Sequence, residues 1–255
     1  MRKQKKNNRK GNKDLNKQLP VQSGVMNFEP LEVRQMMSTV SISDFGANTS
    51  GGDNTAALQA AMNASKSGDT IVFSGGTYHF NNPVSLLSNR TYEGINGGGV
   101  SGAGSDGYIF HVTGDNVTVK DLTFNGGGLF IDKQPGQGNN NNLLIDHDTF
   151  NMNSHGQFND GIAFTCGLSN TTISNNYFTG YDGGFGIYGY DYNNLTIKNN
   201  EFINTEAGAH IDAQGAAGEN NNTNMLAEDN FMSGMKEMGF EFQGNANGVV
   251  VQDNY

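Results

Sequence analysis

Four short runs in the second half of the chain, GIAF, GIYGY, HIDAQ and GFEF, carry side chains suited to acid–base chemistry. Aligned on Ile162, Ile187, Ile211 and Phe240, the following residues are Ala163, Tyr188, Asp212 and Glu241. The preceding residues are Gly161, Gly186, His210 and Gly239, and three places on stand Thr165, Tyr190, Gln214 and Gln243. If the runs stack as neighbouring strands, Asp212 and Glu241 lie about 5 Å apart, near the separation of the two carboxyls in a retaining glycosidase. That closeness would raise one carboxyl's pKa and divide the pair into an acid and a base. His210 and Tyr188 on the same face could instead pass a proton in a lyase or epimerase. Tyr190, Gln214 and Gln243 offer ring faces and amides for a sugar, and the Gly column reads as the floor of a shallow groove. Asp160 and His155, in SHGQFNDGIAF, belong to the longest insertion before a strand, where solenoids build binding walls. Each has a plainer reading beside it. Outward acids are commonly surface charge, His210 a surface or ladder residue, and Asp160-Gly161 a good turn.

A repeat must position these residues. The segments NVTVKDLTF, LLIDHDTF, TTISNNYF, LTIKNNEF, NMLAEDNF and VVVQDNY align on Phe124, Phe150, Phe178, Phe202, Phe231 and Tyr255, at spacings of 26, 28, 24, 29 and 24. Five places earlier come Val119, Ile145, Ile173, Ile197, Leu226 and Val250; two places earlier come Leu122, Asp148, Asn176, Asn200, Asp229 and Asp253. The pattern predicts a strand with an aliphatic inward, a turn at a residue that tolerates left-handed geometry, and an aromatic returned to the core. Units this short cannot bury their faces alone, so they stack as a parallel β-solenoid of about seven coils from Thr70 to Tyr255. The Leu-x-x-Leu-x-Leu frame of a leucine-rich repeat is missing. Asn residues at equivalent turns are expected to form amide ladders from coil to coil. A helix over Asn54–Ser67, capped by Asp53 and apolar at Ala57, Leu58, Ala61 and Met62, is expected to cover the first coil. Tyr255 completes a strand with no capping element after it, which predicts that residues 39–255 are the front of a longer, truncated solenoid.

Composition narrows the classes. The 255 residues include 36 Gly, 37 Asn and no Trp, with 35% hydrophobic residues. Gly and Asn at that level argue against a helical bundle, and no apolar run approaches the ~18 residues of a membrane span. The net charge of −10 conceals two pieces: residues 2–17 hold eight basic side chains, whereas residues 18–255 carry 7 basic and 24 acidic groups. Such a body repels a bare polyanion, so nucleic acid is not the expected partner. The single Cys166 excludes an intrachain disulfide. Ser101–Tyr108 approaches a Ca²⁺-binding nonapeptide but occurs once and lacks its first Gly, so it reads as a loop. These residues fix no cofactor; the outward carboxylates could hold a cation such as Ca²⁺.

Residues 1–38 are basic to Lys17 and then run through Phe28-Glu29-Pro30-Leu31-Glu32-Val33-Arg34-Gln35-Met36-Met37-Ser38. No apolar h-region follows the charges, which excludes an ordinary secretory signal peptide. Leu31, Glu32, Arg34, Met36 and Met37 resemble the LEPR-XLL motif found near the N-termini of large exported bacterial surface proteins, with Val33 in place of Pro or Asp. The resemblance implies a disordered targeting segment, 1–38, and an extracellular or cell-surface protein.

Residues 40–80 resemble the N-terminal block of the rhamnogalacturonase/epimerase-like pectate lyase superfamily. The matching residues are Asp44-Phe45-Gly46-Ala47, Asp53 and Thr55 before the Ala-rich helix, Ile71-Val72-Phe73, and Gly76-Thr77-Tyr78. Asn54 replaces a usual Asp and Ser74 a usual Pro. The resemblance implies a right-handed parallel β-helix over residues 39–255 and a polysaccharide or cell-surface glycan as partner. It does not choose among lyase, hydrolase, epimerase and non-catalytic adhesin or spacer. The paired-Asp and Gly-His-Gly pattern of polygalacturonase-type hydrolases is missing, and no Arg follows Arg90 to serve as a pectate-lyase base.

Overall fold

The computed structural model describes residues 37–102, 106–132, 140–152, 160–165, 167–180, 184–212, 222–243 and 247–255, with the backbone alone of Asp212. The LEPR-XLL-like segment to residue 36, His155, Cys166, Gln214 and the middle of Ser101–Tyr108 lie outside them. Every strand pair among the described residues is parallel. The strands form a fifteen-stranded and a seven-stranded sheet. The strand Arg90–Ser101 pairs with Val117–Lys120 through its first half and with Thr123–Asn125 through its second, so the larger sheet bends into two faces of the solenoid. The smaller sheet makes the third face. It runs in chain order through Val84–Leu86, Tyr108–Val112, Gly128–Ile131, Ile162–Phe164, Ile187–Tyr190, Ala207–Asp212 and Met238–Gln243.

Turn chemistry holds the coils in register. Asp121, His147, Asn175, Asn199, Asp229 and Asp253 occupy one column of left-handed turn positions, with φ between 53° and 58°. Beside them runs a buried ladder. Asn176 Nδ2 donates to Asn200 Oδ1 and to the Ile145 carbonyl, and Asn200 Nδ2 donates to Asn230 Oδ1 and to the Ile173 carbonyl, all at 3.0 Å. Asn230 continues the pattern onto Asn254 and Ile197. Each Oδ1 also takes the backbone N–H of the rung before it, so the amides are satisfied without water.

Two residues beyond each rung, an aromatic enters the core. Phe124, Phe150, Phe178 and Phe202 stack with centroids 4.7–4.8 Å apart and planes within 11°. The expected alignment fails in the next coil: Met232, not Phe231, pairs with Phe202, and Phe231 is 47% exposed. Ala227 rather than Leu226 faces Ile197, and Val250 turns outward beside Leu226. The ladder explains the slip. Asn230 is fixed by Asn200 and Asn254, so the residue two places on is Met232, and a one-residue shift reverses every side chain.

The Gly column also differs from expectation. One place before the inward series Leu129, Ile162, Ile187, Ala209 and Phe240 stand Gly128, Gly161, Gly186, Gly208 and Gly239. They are not a groove floor. A Cβ on Gly186 would lie 2.4 Å from Phe202 Cδ1 and 2.6 Å from the Gly208 carbonyl oxygen. These glycines let the corner of each coil close on the Phe stack. Gly186→Ala is expected to lower stability by about 2 kcal/mol, read as a fall in denaturation midpoint without a change in slope.

At the N-terminal end the helix spans Thr55–Ala64, shorter than the expected Asn54–Ser67, because Ser65 is extended. Asp53 Oδ1 accepts from the Thr55 N–H at 3.1 Å and its hydroxyl at 2.7 Å. Leu58, Ala61 and Met62 join the solenoid core. Among the described residues no helix is long and apolar enough to cross a membrane.

Candidate functional site

The outward column of the seven-stranded sheet is Ser85, His111, Phe130, Ala163, Tyr188, His210 and Glu241, each beside the next. Ala209 takes the inward place expected of Ile211. Asp212 therefore falls beside Tyr190 and Gln243, and His210 beside Glu241, so Asp212 and Glu241 are not the register partners the sequence alignment expected. The shift is two residues, which keeps His210 on the outward face because side chains alternate with period two. Of Asp212 only this backbone register is described.

A cleft of about 350 Å³ opens on this face, lined by Asp106, Tyr108, Phe130, Asp160, Ala163, Thr165, Tyr188 and Tyr190. A register irregularity between Tyr108 and Phe110 makes room for the Tyr108 side chain on the outer surface, the usual consequence of a bulge. Its ring stacks on Phe130 at 5.0 Å, and its hydroxyl donates to Asp160 Oδ2 at 3.2 Å. Asp160 Oδ1 accepts from the Phe185 N–H at 3.0 Å. Asp160 is only 7% exposed, and burial pushes its carboxyl up to about 6; the two hydrogen bonds and nearby His210 oppose that rise, while Glu206 adds to it. Burial also raises the Tyr108 phenol, and the negative charge of Asp160 raises it further. Asp160 is thus a carboxylic acid poised to hold a proton in mildly acidic solution, at the base of an aromatic cleft.

Asp106 stands at the other end of Tyr108. Its Oδ1 takes the Tyr108 N–H at 3.2 Å and its Oδ2 meets His111 Nε2 at 2.8 Å. Farther along the column, His210 packs edge-on against Phe185 at 4.9 Å and Tyr188 at 5.5 Å. His210 Nδ1 lies 3.0 Å from Glu241 Oε2 without the alignment of a hydrogen bond. Glu241 Oε1 accepts from Gln243 Nε2. Tyr188, Tyr190 and Asp160 therefore share the cleft, while His210, Glu241 and Gln243 extend the same face. Among the described residues no group of three or more His, Cys, Asp or Glu is arranged to hold a metal.

Phe130 and Phe185 were not singled out in the sequence, and Asp106 and Tyr108 only as the end of Ser101–Tyr108, read as a loop. A signal existed for Phe130: Gly128-Leu129-Phe130 repeats the Gly-aliphatic-outward triplet of Gly161-Ile162-Ala163 and Gly186-Ile187-Tyr188. Tyr108 and Asp106 had none, since the irregularity breaks the triplet in their coil. Two other hollows lie along the Asn turns, one lined by Asn194 and Asn224, the other by Asn89 and Asn116. Neither is lined by a carboxylate or a His.

Comparison with known structures gives the same architecture. The exopolygalacturonase of family 28 from Yersinia enterocolitica is 14% identical with a TM-score of 0.63, over 86% of this chain and 59% of that one. PfbA, a surface adhesin of Streptococcus pneumoniae, is 17% identical with a TM-score of 0.58, over 85% and 72%. The catalytic unit of a GH87 α-1,3-glucanase from Streptomyces thermodiastaticus is 18% identical with a TM-score of 0.50, over 76% and 46%. This chain spans 46% of the length of the glucanase unit and 59% of that of the exopolygalacturonase. No curated protein matches the sequence. Residues 39–96 match the family described as Rhamnogalacturonase A/epimerase, pectate lyase-like, and the strands that follow continue as a parallel β-helix, the fold shared with the structures above.

Proposed function

We propose that this protein binds a polysaccharide along the outer face of the seven-stranded sheet and hydrolyses it in the Tyr108–Tyr190 cleft. The observation that carries the reading is Asp160, a buried acid whose carboxyl is pushed up to about 6 at the base of a cleft walled by aromatic rings. Sugar rings stack on Tyr108, Phe130, Tyr188 and Tyr190 through their C–H faces. Asp160 gives its proton to the leaving glycosidic oxygen as the C–O bond breaks, water attacks the anomeric carbon, and Asp106 takes the proton that water loses. His210, Glu241 and Gln243 contact the chain beyond the point of cleavage, with Asp212, Gln214 and His155 as further candidates on their nearness in sequence to His210 and Asp160. The protein acts outside the cell or at its surface, in keeping with the surface adhesin among similar folds.

A second reading has its own observation. Both Asp160 oxygens are engaged, by Phe185 N–H and Tyr108 O–H, so the residue also ties one coil to the next, as a non-catalytic adhesin module would need. A polysaccharide panel separates the two. Hydrolysis is expected to release reducing ends from at least one polymer, and Tyr188→Ala is expected to weaken binding of that polymer about tenfold, the loss of one stacked ring. Binding without product from any polymer supports the adhesin; unsaturated ends would indicate a lyase, and solvent deuterium in an uncleaved polymer an epimerase.

A further inference from the structure

The charges facing the cleft are of one sign. Asp106 and Asp160 line it, and Glu241 stands two places beyond Tyr188 in the outward column. The groups able to carry positive charge there are already met by carboxylates: His111 lies 2.8 Å from Asp106 and His210 lies 3.0 Å from Glu241. Among the described residues no Lys or Arg lines the cleft. Arg90 is tied to Ser65 and to the carbonyls of Ser88 and Asn89, and Lys120 is paired with Glu93 at 2.7 Å.

A uronate polymer would bring one carboxylate per sugar into this setting. With no fixed cation among the described residues of the cleft to meet it, a sugar carboxylate about 5 Å from Asp106 is repelled by about a hundredfold in affinity at an effective dielectric constant of about 20. The lining suits an uncharged sugar: rings for its C–H faces, carboxyls and the Thr165 hydroxyl for its hydroxyl groups. We propose that the cleft selects an uncharged polysaccharide and rejects polyuronates through Asp106 and Glu241. The selection rests on the glycan-binding reading above and adds the substrate's charge to it.

Affinity electrophoresis of the full chain tests this in EDTA, against neutral β-glucan, α-glucan, xylan and mannan and against polygalacturonate and alginate. At 20 mM salt the best neutral polymer is expected to bind at least about thirtyfold more tightly than either polyuronate. Asp106→Asn combined with Glu241→Gln is expected to narrow that ratio at least fivefold by strengthening uronate binding, and raising salt to 300 mM is expected to narrow it in the unaltered protein. A polyuronate bound as tightly as any neutral polymer overturns the charge selection and leaves glycan binding standing. A neutral preference unchanged by the double variant also overturns it, because these carboxylates would not be its cause. Binding of none of the six polymers overturns both the selection and the function beneath it.

Discussion

Asp160→Asn is expected to lower the rate of polysaccharide hydrolysis by about 10²–10⁴-fold at pH 5 while leaving polymer binding within a few-fold, because an amide keeps the shape of the carboxyl but cannot give up its proton. Its oxygen can still accept from Phe185 N–H, and its NH₂ can donate to the Tyr108 hydroxyl, so both connections survive. In the unaltered protein the rate is expected to fall as pH rises through about 6, where Asp160 loses its proton. Reducing-end release measured from pH 4 to 8 checks both statements. A flat profile across pH 6, or a variant as fast as the parent, would remove Asp160 from the chemistry.

The same carboxyl links stability to pH. Its pKa is raised on folding, so its contribution is fully present below the unfolded value near 3.9 and is lost as pH rises through about 6. A rise from 3.8 to about 6 corresponds to about 3 kcal/mol in all, of which about 2 kcal/mol is lost between pH 4 and pH 8. Denaturant titrations at the two pH values are expected to show that loss in the parent relative to Asp160→Asn.

Asp148→Asn is expected to stabilise the protein by about 3 kcal/mol at pH 8 and by less at pH 4. Asp148 is the odd rung of the buried ladder. Its Oδ1 takes the Leu122 N–H and its own N–H donates to Asn176 Oδ1, as in the amide rungs, but its Oδ2 has no partner among the described residues. Oδ2 occupies the place where Asn176 and Asn200 each put an NH₂ that donates to two oxygens and Asn230 one that donates to three. Burial holds the Asp148 carboxyl well above the usual carboxylate range, which favours the protonated form that keeps a donor over the carboxylate that rising pH produces. A group raised on folding contributes stability at low pH and loses it as pH climbs through its folded value, which fixes the sign. An amide supplies the donors at every pH, and an unsatisfied buried group costs about 1–3 kcal/mol, more when charged. Thermal unfolding of the two proteins at pH 4 and 8 reads the difference. A variant less stable than the parent at pH 8 would show that the acid has a partner an amide cannot replace.

Much of the solenoid was legible from spacing, because Phe124, Phe150, Phe178 and Phe202 recur in the core and Ile145, Ile173 and Ile197 recur five places earlier. Legibility ended where two residues competed for one place. In Asn230-Phe231-Met232 the aromatic is the stronger apolar signal, yet Asn230 belongs to the ladder and brings Met232 inward. In Ala209-His210-Ile211 both flanking residues face inward, so periodicity could not tell which aligns with Ile187. That ambiguity moved Asp212 away from Glu241 and put His210 there instead. Tyr188, Tyr190 and Asp160 were named from outward placement and from the loop before a strand. Asp160's burial was not visible in its turn-like Asp-Gly context, because the covering ring, Tyr108, comes from 52 residues earlier through a local irregularity. Its partner Asp106 was hidden for the same reason.

The most direct measurement is a structure of the Asp160→Asn variant with a bound oligosaccharide of the polymer the parent cleaves. A hydrolytic cleft requires sugar rings against Tyr188 and the Tyr108–Phe130 pair, and a glycosidic oxygen within hydrogen-bonding distance of the residue 160 side chain. Sugar bound on another face, or in the cleft with every glycosidic oxygen remote from residue 160, would contradict it.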